Sequence, residues 1–176
     1  MAPSDPRAFM VIFDRHFDAI DRFLRRQIGP SDAEDAAAEV FLRALQHAGS
    51  YEPRSSSARP WLLGIATNVA RGIRRAHHSD RLRTPLELVP NDLQSVADAR
   101  RPEAAAWLAE VRGALDLLPE EERTALLLYA WADLSYEEIA VALGSPVGTI
   151  RSRIARGRGR LRTELKLSDW EEVAEP

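Results

Sequence analysis

Apolar side chains recur every three or four residues along almost the whole chain, and that periodicity confines it to a helical fold. Phe9, Ile12, Phe13, Phe17, Ile20 and Leu24 mark a first helix over residues 7–28, stopped by Gly29-Pro30. Ser31-Asp32-Ala33-Glu34 reads as a capping box opening a second helix, which carries Val40, Phe41, Ala44 and Leu45 on one face and ends near Gly49. After a polar loop at 50–60, Trp61, Leu62, Ile65, Val69 and Ile73 define a third helix from about Trp61 to His78. Neither an alternating strand pattern nor an internal repeat interrupts the series.

The period is lost over residues 79–101, where Pro85 and Pro90 lie among scattered aliphatics. Helices resume at Pro102, and residues 103–117 carry Trp107, Val111 and Leu115. Pro119 fits a first helical position ahead of Glu120-Glu121-Glu122-Arg123 and the apolar run Ala125 to Trp131. Ser135-Tyr136-Glu137-Glu138 is a second capping box, opening a short helix to Leu143. Gly144 ends it, Ser145 caps the last helix and Pro146 takes its first position. The expected fold is therefore all-α: two small helical domains, 5–80 and 102–167, joined by a flexible linker at 81–101.

Charge sharpens this division. The net charge of −3 conceals two basic islands. Residues 151–166 hold Arg151, Arg153, Arg156, Arg158, Arg160, Arg162 and Lys166 against Glu164. Residues 71–83 hold Arg71, Arg74, Arg75, Arg81 and Arg83 against Asp80. The rest of the chain is strongly acidic. Two separated basic islands on an acidic body point to two anion contacts. With no cysteine, the chain has no disulfide framework and no thiolate metal site. No apolar run approaches a membrane span and no signal peptide is visible, so the expected location is cytoplasmic, without membrane insertion.

The two helices joined by Gly144-Ser145-Pro146 form a helix-turn-helix pattern. Val147, Ile150, Ile154, Leu161 and Leu165 face inward in the second. The opposite face presents Gly148, Thr149, Ser152, Ala155, Arg156, Gly159 and Thr163, flanked by Arg151 and Arg153. Small residues near the helix start allow close approach to a DNA major groove; Ser152 and Arg156 can address base edges, and the flanking arginines phosphates. The plainer alternative is a solvated arginine-rich helix in a bundle. Gly157 and Gly159 cost that helix about 1 kcal/mol each and predict a frayed end.

In the third helix Asn68 sits mid-helix, where an amide is a poor helix former but can reach a base edge. Arg71, Arg74 and Arg75 follow within two turns. Trp61 reads as core before it reads as a base-stacking ring. The acidic start of the second helix, Asp32, Glu34, Asp35 and then Glu39, is accounted for by the helix dipole or by a partner surface. His77, His78 and Asp80 raise the question of a metal-dependent nuclease. Adjacent histidines point to different faces of a helix, however, and no nucleophile elbow is present. Neither a metal site, a cofactor nor an enzyme is read here.

These residues, taken in order, resemble a known family. Asp32-Ala-Glu-Asp, then Glu39-Val-Phe-Leu-Arg43, then Trp61-Leu-Leu-Gly-Ile-Ala-Thr-Asn68 and Arg74-Arg75 resemble region 2 of a sigma factor. Leu118-Pro119-Glu120, Leu134-Ser-Tyr-Glu-Glu-Ile-Ala140 and Leu143-Gly-Ser-Pro-Val-Gly-Thr-Ile-Arg-Ser-Arg153 resemble region 4. The order and the linker are similar to those of the extracytoplasmic-function group of the sigma-70 family, which has only these two domains.

The resemblance implies a protein that binds core RNA polymerase, through the β′ clamp helices and the β flap, and directs it to promoter DNA. It implies polymerase contacts at Asp32, Glu34, Asp35, Glu39, Arg43 and Gln46. It implies −10 recognition by Asn68 and the loop at 52–60, with Trp61, Arg71, Arg74 and Arg75 beside them. It implies −35 readout by Thr149, Arg151, Ser152, Arg153, Ala155 and Arg156, and an anti-sigma factor as partner, with no small-molecule substrate. Such a protein is bacterial and nucleoid-associated when on polymerase. A polymerase-independent helix-turn-helix regulator is the alternative; it has no need of the acidic second helix followed by Trp61, Asn68 and a basic end.

Overall fold

The structure, a computed structural model, describes residues 6–51, 57–83 and 102–167. The first group of helices is α1 (Pro6–Ile28), α2 (Pro30–Gln46) and α3 (Arg59–Arg83), with a short 3-10 turn at Ala48–Ser50. The second is α4 (Pro102–Asp116), α5 (Glu120–Ala130), α6 (Tyr136–Leu143) and α7 (Val147–Glu164). No strand occurs among the described residues. The linker from residue 84 to 101, and residues 52–56 of the polar loop, lie outside them. Residues 81–83, read as linker, continue α3.

In the first group α1, α2 and α3 pack on one another around Ile20, Leu24, Val40, Leu62 and Leu63, all essentially without solvent exposure. Burial of each such side chain is worth about 1.5–3 kcal/mol. Phe41 of α2 gathers the α1 aromatics, its ring centroid 4.7 Å from Phe13, 6.0 Å from Phe17 and 6.4 Å from Phe9. Leu45, expected beside Phe41, is exposed instead. At about 100° per residue it falls roughly 140° round from Val40, off the inward face.

Three helix starts differ from expectation. Pro30 opens α2, with Gly29 at φ 90 before it, and no side chain caps the helix. The fixed φ of proline starts the helix one residue ahead of the Ser31 box. Pro146 precedes α7 in the cap position. Ser145 Oγ donates to Leu143 O at 3.3 Å rather than capping α7. Pro119 likewise stands just outside α5. The Ser135–Glu138 capping box is present in full, Glu138 N donating to Ser135 Oγ at 3.2 Å and Ser135 N to Glu138 Oε2 at 2.9 Å.

In the second group α5, α6 and α7 enclose Leu128, Ile139, Ile150 and Ile154. Trp107, one of the apolar residues carried by α4, is exposed. The two groups meet where α3 packs on α6. Gly64 of α3 lies against the carbonyl of Ala142, and a Cβ there would collide with that oxygen. Arg26 of α1 lies over the Trp131 ring at 5.6 Å, and Arg59 donates to Ala132 O. α3 is thus buried on two sides.

Candidate nucleic-acid interface

The turn between α6 and α7 is set by Gly144, whose φ of 58 is the left-handed conformation glycine adopts without strain. Ser145 N donates to Ala140 O at 3.1 Å and Gly144 N to Val141 O at 3.4 Å, a Schellman closure of α6. α7 then enters with Ile150 and Ile154 buried beneath it. On its other side Gly148, Ser152, Ala155, Arg156, Gly159 and Thr163 are exposed, and Thr149 is half-buried at the edge. The helix runs unbroken to Glu164, so the fraying expected at Gly157 and Gly159 is not seen. Gly157 is buried against the backbone of Glu122, and packing on α5 offsets its low propensity.

The arginines of α7 are held by α5 and α6. Arg151 lies over the Tyr136 ring at 5.6 Å and 3.9 Å from Glu137. Arg158 lies over Tyr129 at 5.0 Å, and the two tyrosine rings stack at 5.2 Å. Arg153 turns inward: it donates to Ser145 Oγ at 3.2 Å and pairs with Glu121. Arg156 and Arg160 both meet the buried carboxylate of Glu122, through Nε, at 3.3 and 3.0 Å. Arg153 is therefore drawn away from the exposed face, while Ser152, Ala155 and Arg156 remain on it.

On α3, Asn68 and Arg75 are exposed and, seven residues apart, share one side of the helix. Arg71 and Arg74 are turned toward the second group. Arg71 Nε lies 3.6 Å and Arg74 Nη1 3.3 Å from the carboxylate of Glu120. Trp61 is half-buried, its ring 4.6 Å from Tyr51, and packs at the edge of the core. His77 meets Asp32 at 3.4 Å. The side chains of His78 and Asp80 lie outside those described.

On α2 the exposed residues Glu34, Asp35, Arg43 and Gln46 surround Leu42 and Leu45, themselves about half exposed. Glu39 pairs with Arg43 at 2.7 Å. Leu42 and Leu45 lie in the last turns of α2, away from the acidic first turn that complements the helix dipole.

In the sequence Glu120, Glu121 and Glu122 are legible only as an acidic helix start, yet the fold sets them among both arginine islands. The signal lies in the charge count: an acidic body surrounding two basic segments must present carboxylates to them. Gly64 carries no sequence signal, because its role depends on α6, distant in the chain. Among the described residues no cluster of three potential metal ligands occurs, and no helix is long and apolar enough to cross a membrane.

Comparison with known proteins supplies the family. Residues 12–79 match the model for Sigma-70 region 2 and residues 108–161 that for Sigma-70, region 4. The chain is 38% identical over 157 residues to the ECF RNA polymerase sigma factor SigE of Mycolicibacterium smegmatis, covering 86% of this chain and 59% of that protein. It is 33% identical to the ECF RNA polymerase sigma factor SigW of Bacillus subtilis, covering 92% of this chain and 91% of that one. Among solved structures it superposes on CnrH, in complex with the cytosolic domain of CnrY, with a TM-score of 0.67 and 25% identity over 96% of this chain and 94% of that one. Sigma factors are DNA-binding regulators rather than enzymes, and a region 2 match has no place in a polymerase-independent helix-turn-helix regulator. With both regions matched in order and relatives of this kind covered over most of this chain, the chain belongs to the sigma-70 family, in its extracytoplasmic-function group.

Proposed function

We propose that this sigma factor docks on core RNA polymerase through α2, reads the −35 element with α7 and engages the −10 element with α3. The observation that carries the reading is the exposed face of α7, where Gly148, Ser152 and Ala155 leave room for a base edge beside Arg156. Thr149 and Arg151 flank that face, and Arg153 serves it from below through Glu121. On α3, Asn68 and Arg75 stand ready for the non-template strand. Arg71 and Arg74 join them once DNA phosphates displace Glu120, and Trp61 supports them from the core edge. On α2, Asp35, Glu39, Arg43 and Gln46 around Leu42 form the contact to the β′ clamp helices, with Asp32 and Glu34 at its upper end; the β flap takes the second group of helices.

The partner that regulates it is an anti-sigma factor, a reading supported by the likeness to CnrH in its complex with the cytosolic domain of CnrY. The protein then works in the bacterial cytoplasm, on the nucleoid when bound to polymerase. The test is reconstitution with core RNA polymerase and sequencing of the transcripts started from a genomic template. Initiation at sites sharing two elements supports the reading. Transcription no different from that of core enzyme alone refutes it.

A further inference from the structure

Glu122 is a charged side chain in a place where a charge is costly. Its side chain keeps only 9% of its exposure, in the first turn of α5, where that helix packs on α7. Its two carboxylate oxygens divide between two arginines one turn apart on α7: Oε1 faces Arg156 Nε at 3.3 Å and Oε2 faces Arg160 Nε at 3.0 Å. Both arginines remain more than half exposed. Gly157, between the two arginines, is buried beside Glu122 and Leu126, so α7 packs closely on α5 at this point.

Each guanidinium comes closest to the carboxylate at its Nε, as an ion pair with no hydrogen bond to Glu122 Oε2, and carries two Nη groups at its far end. Those two groups form the fork that pairs with O6 and N7 of guanine or straddles a phosphate. A free arginine must lose most of its rotamer freedom when it binds; one already drawn to a buried carboxylate by an ion pair has lost part of it beforehand.

We propose that Glu122 is a positioning residue for sequence readout: it presets Arg156, and with it Arg160, on the groove side of α7 before DNA arrives. This rests on the reading of α7 as the −35 reader. The role carries a signature that plain structural support lacks. A carboxylate beneath a DNA-facing helix offsets the positive charge that attracts phosphates, so its neutralisation raises or preserves affinity for random DNA while it lowers discrimination. Loss of a structural residue lowers both together.

The experiment uses holoenzyme reconstituted with core RNA polymerase and a promoter library randomised at the upstream element. Selectivity at each base pair is read by sequencing the transcripts, and affinity for a random duplex is measured beside it. Arg156→Ala identifies the base pair that Arg156 reads. Glu122→Gln, close to isosteric, is expected to lower selectivity at that same pair by about tenfold, the scale of ordering one or two long side chains. Its affinity for the random duplex is expected to be equal or higher. In an Arg156→Ala background Glu122→Gln is expected to change selectivity at that pair no further. Unchanged selectivity in Glu122→Gln overturns the proposal, as does an equal fall in selectivity in both backgrounds. If Arg156→Ala itself leaves every position intact, the −35 reading of α7 falls, and this inference with it. NMR relaxation at Arg156 Nε in the unmodified full chain gives a check that needs no variant: an ordered Nε–H supports the tether, and a freely mobile one overturns it.

Discussion

Glu120 at the start of α5 stands 3.3 Å from Arg74 of α3, joining two residues 46 positions apart across the contact between the two groups of helices. The same carboxylate lies 3.6 Å from Arg71 and 2.8 Å from Arg123. Two arginines of the first basic island are thus occupied by an acid from the other half of the chain. Glu120→Gln is expected to loosen this contact. Because Glu120 keeps about a third of its exposure, the loss of stability stays below about 1 kcal/mol. The interdomain distance, measured by paired spin labels on α3 and α6, is expected to lengthen and broaden, and raised salt is expected to do the same to the unmodified chain. An unchanged distance distribution in Glu120→Gln refutes the assignment.

Gly64→Ala separates local preference from tertiary fit. In an isolated helix alanine is favoured over glycine by about 1 kcal/mol. Here the added Cβ meets the Ala142 carbonyl, a backbone atom that cannot swing aside. The variant is expected to part α3 from α6 while the bundle of α1, α2 and α3 keeps its helicity. Distance measurement together with circular dichroism checks both halves of that statement; a closed α3–α6 contact in Gly64→Ala contradicts it.

His16 gives the fold a pH dependence. It is buried on α1, and burial, with Arg15 and Arg59 nearby, lowers its pKa from 6.5. In the unfolded chain it takes up a proton near pH 6.5, whereas in the folded chain it resists to lower pH. The unfolded state therefore binds more protons in that window, and stability falls as pH drops below about 6.5. His16→Gln is expected to flatten this slope in melting temperature measured from pH 7.5 to about 5. A slope equal to that of the parent chain rules His16 out as its source.

Asp35→Arg addresses the α2 surface. Asp35 is exposed on the same side of α2 as Leu42, two turns away, so reversing its charge leaves the core untouched. Co-purification with core RNA polymerase is expected to fall at least tenfold, with the melting temperature within the small range usual for surface changes. Full retention on core enzyme excludes this surface from the polymerase contact.

Ser135→Ala removes the cap of α6. Loss of the Ser135 Oγ acceptor for Glu138 N is expected to cost about 1 kcal/mol. Thermal or denaturant unfolding measures it, and a variant as stable as the parent shows that Glu138 alone suffices to hold the start of α6.

Much of this architecture is legible in the amino-acid sequence. Short-range rules are sufficient for the helices, because a three-to-four-residue apolar period and residues such as Gly144 and Ser135 act within a few positions of themselves. The helix-turn-helix, the exposed face of α7 and the two basic islands follow from the same local logic. The same rules, applied residue by residue, still misplace some details: Pro30 opens α2 ahead of the Ser31 box, Leu45 falls off the inward face of α2, and Ser145 turns back on α6.

What the chain determined alone is its helical content, its order of regions and, for most residues, the side of the helix they stand on, since these depend on backbone geometry and side-chain periodicity. Tertiary structure decided how the charges are spent. Only when α5 is laid beside α3 and α7 does Glu120 meet Arg71 and Arg74, Glu121 meet Arg153, and Glu122 meet Arg156 and Arg160. Coulomb pairing acts through space over a few ångströms, while the sequence separations involved run from about thirty to about fifty residues, so no local rule could reveal which arginines stay open to DNA.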